Sequence, residues 1–137
     1  MPGKRTTWFS NTLLDHIFGR ALWQPPEVLY VGLWLEPLTE RSTGASPGEV
    51  GAKGYQRIAV PNTSRFWPSA GEGVKHLGET VKSVDAAVDW GRVTHLAILD
   101  APKGGNALYV MEARRSKLVE DGDRIELWSG DIEIREG

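Results

Sequence analysis

The chain has 137 residues, 40% of them hydrophobic and 25% charged, with a net charge of −2 and no cysteine. That length suits one domain. The charge argues against a strongly basic nucleic-acid surface, and the missing cysteine excludes disulfides, thiolate chemistry and cysteine metal sites. No run approaches the roughly 18 apolar residues of a membrane helix, so no membrane span is expected. Cys, Met, Asn and Gln are scarce while Pro, Arg and Glu are frequent, a usage that fits either a thermophilic protein or GC-biased coding.

Residues 1–9 ("MPGKRTTWF" in the sequence) are polar and basic and lack the apolar stretch of a signal peptide. They are expected to form an exposed arm ahead of one β-rich domain at 10–137. Ser10 or Asn11 can cap a short helix in "TLLDHIFG". Leu13, Leu14, Ile17 and Phe18 give it one apolar stripe, Gly19 can end it, and Pro25-Pro26 prevents more helix.

Val28 to Glu36, "VLYVGLWLE", is β-branched, aromatic and unbroken, as in a strand buried on both faces. From 37 to 54 the composition turns to Thr, Ser, Gly, Pro and Glu, a long loop expected to make contacts. "YQRIAV" starts a second strand. "TSRFWPSAGEGVKHLGE" is irregular, with Trp67-Pro68 as its apolar anchor, and "TVKSVDAAV" is a weak strand. Along the next strand Val93, His95, Ala97 and Leu99 alternate with Thr94, Leu96 and Ile98. "DAPKGGN" is a hairpin connection, and Ala107 to Ala113 is the returning strand. Gly122 turns "VEDGD", and "RIELW" and "DIEIRE" alternate as the last two strands. One short helix and about seven strands at hairpin spacing predict a mainly all-β, single-domain antiparallel sandwich or barrel.

Chemistry-bearing residues do not assemble in this pattern. His16, His76 and His95 show neither HxH nor HxxxH spacing, so no metal site is expected. His95 and Asp100 lie five apart on one strand and face opposite sides. Asp89 and Asp100 sit where turns need side-chain acceptors. "DGD" lacks the later oxygen ligands of a calcium loop. "PKGGNALYV" runs into a strand and lacks the spacing of a phosphate loop. No catalytic, cofactor-binding or metal-binding residue is assigned, no cofactor is expected, and replacing His95 by Ala is expected to affect stability alone. Trp34, Trp90 and Trp128 belong in the core by position. Trp8, Trp23 and Trp67 fall in loop or arm, where large rigid side chains serve interfaces.

Taken in order, "LLDHIFG", "LYVGL", "PGEV", "GYQR", "DWGRVTH", Asp100, "GGNALY", "DGD" and "SGDIEI" resemble the small tailed-phage virion proteins labelled tail-fibre-like. These are connected with capsid decoration (cement) proteins. The segment from Thr63 to Gly78 departs from that pattern in its Trp, Pro and charge. The resemblance implies no catalysis. It implies a virion structural protein made in the bacterial host cytoplasm and placed on the capsid surface, stabilising the assembled head as a homotrimer against the major capsid protein. The alternatives are a tail or baseplate component, or a carbohydrate-binding β module in which Trp8 or Trp67 stacks on sugar.

The interface candidates are Trp8, Phe9, Arg41, Glu49, Arg65, Phe66, Trp67, Ile132 and Ile134. The last two lie on a terminal strand expected to be an uncovered sheet edge. Losing the arm is expected to weaken attachment without unfolding the domain.

Overall fold

The computed structural model describes residues 1–135. Its strands are β1 (Pro2–Arg5), β2 (Val28–Trp34), β3 (Ile58–Pro61), β4 (Val74–His76), β5 (Val81–Lys82), β6 (Gly91–Leu99), β7 (Ala107–Val119), β8 (Glu126–Leu127) and β9 (Glu133–Arg135). The one helix, α1 (Thr7–Ile17), connects β1 to β2. Seven strands form one sheet in the order β3-β2-β6-β7-β1-β9-β4, and β5 pairs with β8 in a second. The fold is therefore mainly β with one short helix, as its alternating runs predict. One pair, β1 with β9, is parallel.

The central strands are buried on both faces. Val31 and Leu33 of β2 join Val93, Leu96 and Ile98 of β6 in the main core, which Trp67, Leu77, Val81, Ile125 and Leu127 close. Trp34 of β2 points the other way and packs with Ala97, Leu99, Ala107 and Val110. This explains the unbroken apolar run of β2, because no position on a doubly covered strand can be polar without a buried partner.

β6 does not alternate uniformly. His95 pairs with Glu112, yet Val93 pairs with Lys117, so the single residue Thr94 stands opposite Ala113–Ser116. This wide bulge reverses the local parity. It puts Val93 in the main core with Leu96 and Ile98 instead of on the face of Ala97 and Leu99. Uniform alternation had grouped Val93 with Ala97 and Leu99, and the bulge corrects that grouping.

Residues 1–9 are not an exposed arm. Lys4 and Arg5 pair with Val110 and Tyr109 of β7, while Pro2 and Gly3 pair with Glu133 and Ile134 of β9. Thr6 is fully buried, and its Oγ1 donates to the Ala107 carbonyl at 2.6 Å. The same oxygen accepts from the Phe9 amide, so Thr6 is the helix N-cap and α1 starts three residues before Ser10. Pro2 and Gly3 suggest coil, but β-pairing on both sides overrides local propensity.

The last strand is likewise not an edge. β9 lies between β1 and β4, Ile132 is fully buried, and Ile134 packs against the core. The short strands β3 and β4 form the two edges.

Candidate functional site

The 37–54 loop is pinned by a knot around Arg57, whose side chain is 2% exposed. Its Nε and Nη2 donate to the two Glu49 oxygens at 2.8 and 2.9 Å. Nη1 donates to the carbonyls of Ala101 and Gly104, and Nη2 also to that of Gly44. All donor groups of the guanidinium are thus used, and its carbon stands 5.8 Å from the centre of the Trp34 ring. A Cβ on Gly44 would collide with the Gly104 carbonyl, so the two loops touch backbone to backbone.

Tyr55 completes the knot. Its hydroxyl donates to Glu49 Oε2 and accepts from the Leu33 amide. Burial, above all, pushes its pKa well above that of an ordinary tyrosine. These groups face inward and lock the loop onto the sheet. Glu49 is a member of this lock, and the loop is not a free contact loop.

The other predicted interface residues scatter. Phe9, Trp67 and Ile132 are buried and belong to the interior, which removes them from any docking surface. Phe9 meets Trp23 and Tyr109 edge-on at 4.9 and 5.6 Å. Arg65 and Arg41 are exposed and Phe66 is half-buried; Arg65 stacks over the Phe66 ring and pairs with Glu79 at 3.1 Å. Trp8 is 36% exposed. Two tryptophans exchange the roles that position suggested: Trp67 is 7% exposed and Trp128 63%. Ile125 and Leu127 point inward, so period two turns Trp128 out.

Four of the five most exposed large hydrophobic residues lie on α1 or just after it. The expected stripe splits: Phe9 is the one buried residue of the helix, and Leu13, four residues on, shares its side. Leu14, Ile17 and Phe18 fall on the outer side at 55, 62 and 73% exposure, and Leu22 in the following turn is 77% exposed. Gly19 and Arg20 end the helix with φ of 109° and 59°, and the Ala21 amide closes back onto the Asp15 carbonyl at 2.9 Å. His16 accepts from the Trp23 amide, which ties this turn down. The apolar face is thus held in place and left uncovered by the described residues.

The polar residues expected to shape turns do so. Asp100 accepts from the backbone and side-chain nitrogens of Asn106 at 2.8 and 3.0 Å across the hairpin loop. Asp89 accepts from the Asp121 amide, and Asp123 from that of Glu120. His95 Nδ1 shares a hydrogen bond with Thr94 Oγ1 at 2.8 Å. Among the described residues no three His, Asp or Glu side chains group to hold a metal ion, and no helix is long and apolar enough to cross a membrane.

The described residues thus form a locked β scaffold that leaves the outer side of α1 exposed. Residues 4–135 match the model of the family described as podophage GP4 fiber I protein gp80. The chain belongs to that family and is a phage virion structural protein of fibre type. No curated protein matches it.

Proposed function

We propose that the protein is a structural subunit of the phage tail-fibre apparatus, seated in the virion as a closed homotrimer whose α1 faces meet about the axis. The observation that carries this reading is the exposed face of Leu14, Ile17, Phe18 and Leu22. These four side chains are 55, 62, 73 and 77% exposed, and exposed apolar patches beyond a few hundred Å² mark interaction sites. Covering it with copies of itself gives a closed assembly that buries this face.

Of the locations expected from the sequence, the family description favours the tail alternative over head decoration. The two differ in copy number, so quantitative mass spectrometry of purified virions separates them. A few copies per particle, with antibody labelling at the tail, is the expected result. Hundreds of copies spread over the head, in contact with the major capsid protein, would restore the decoration role and overturn this one.

A further inference from the structure

Inside the large sheet, β7 outruns one of its two neighbours. β6 pairs with it as far as Val119, whereas β1 meets it at Tyr109 and Val110. From Ala113 to Val119 no described strand pairs with the side of β7 that faces away from β6. This open edge forms one wall of a groove of about 630 Å³, where Ala113, Arg114, Arg115 and Lys117 line it. β8 lines the opposite wall, and it too is paired on one side only, with β5.

The backbone of that second wall also turns toward the groove. The Ile125 carbonyl accepts from the Ser83 amide, toward the β5 side. Backbone groups alternate sides along a strand, so those of Arg124 and Glu126 point away from β5. Lys117 Nζ accordingly reaches the Arg124 carbonyl from β7 at 2.7 Å.

The open edge is positively charged. Arg114, Arg115 and Lys117 are exposed, and Arg92, Arg114 and Arg115 make no ion pair with any described residue. Arg92 Nη1 donates to Ser116 Oγ, which pins the bulge opposite Thr94. The carboxylates of the groove are already engaged. Glu126 holds Arg124 at 2.9 Å, and Asp123 and Asp131 accept from the backbone amides of Glu120 and Trp128.

Positive charge along an edge repels a second copy of the same edge and favours a partner of opposite sign. The edge itself offers alternating donors and acceptors. Another peptide backbone matches that alternation, whereas a DNA backbone offers acceptors alone.

We infer that β7 from Ala113 to Lys117 takes up an extended acidic segment of another protein as an added strand, its carboxylates meeting Arg114, Arg115 and Lys117. The inference rests neither on the helix face nor on where in the virion the protein sits. Calorimetry on the full chain tests it with a capped hexapeptide of alternating glutamate and valine. The comparison probes are its lysine counterpart, the acidic peptide N-methylated at every valine or at every glutamate, and a thymidine hexanucleotide.

Saturable binding of the acidic peptide, weakened by added salt, is the expected result. At least one of the two methylated forms should lose it, because an added strand bonds through alternate amides. Arg114→Ala with Arg115→Ala should weaken binding about tenfold or more. Both side chains are exposed, so this variant keeps the parent's melting temperature. No binding of the acidic peptide would overturn the inference. So would equal binding of the lysine peptide, the oligonucleotide or both methylated forms, or undiminished binding by the folded variant.

Discussion

At the scale of single residues, Arg57 ties the 37–54 loop to the loop after β6. It is buried, and it alone joins Glu49 to the carbonyls of Gly44, Ala101 and Gly104. Removing one partner of a buried ion pair costs about 3–5 kcal/mol because the remaining charge is stranded. Arg57→Met is therefore expected to lower stability by about that amount in a denaturant titration. Adding Glu49→Gln should recover part of the loss, and purely additive losses would show that the pair is uncoupled. Arg57→Lys should not rescue, since an ammonium cannot span the same acceptors.

Tyr55 gives a pH signature. Its pKa is raised in the fold, so its stabilising contribution is fully present below the ordinary tyrosine value of about 10 and is lost as pH rises beyond it. Melting temperatures from pH 8 to 11 should fall more steeply for the parent than for Tyr55→Phe, which starts lower but lacks this group; parallel curves would contradict the account. Asp100 and the "DAPKGGN" hairpin were legible because their chemistry is local. Arg57 was not, because its acceptors come from loops distant in sequence and leave no spacing to read.

At the scale of elements, the N-terminal segment shows where local reading stops. Residues 2–5 have no alternating pattern, yet β1 bridges β7 and β9 and so carries the continuity of the large sheet. Deleting Met1–Arg5 is therefore expected to cause a cooperative loss of several kcal/mol in thermal unfolding, in place of the tolerated truncation the composition suggests. An unchanged melting temperature would return the segment to the status of an arm. Thr6→Ala removes both the helix cap and the buried bond to Ala107, a loss of about 1–2 kcal/mol, and Thr6→Ser should restore most of it. The strands around β2, β6 and β7 were readable from their apolar runs. The bulge was not, since "EARRSKL" carries no glycine or proline to mark it.

At the scale of the whole molecule, the case for self-association changes its footing. The sequence suggested an open terminal edge at Ile132 and Ile134, but β9 is covered on both sides. The helix stripe was visible in the residues, but from sequence a stripe reads as core. Only the packed fold shows that Phe9, with Trp23 and Tyr109, anchors the helix and leaves Leu14, Ile17, Phe18 and Leu22 outside. The account therefore ties assembly to one face, and light scattering tests it on the purified parent chain and on a Phe18→Glu, Leu22→Glu variant across a tenfold dilution. The parent should give about 45 kDa, three times the 15.1 kDa chain mass, and the variant the mass of one chain with its β fold intact. A parent of 15.1 kDa at every concentration, or a variant that still assembles, would contradict it.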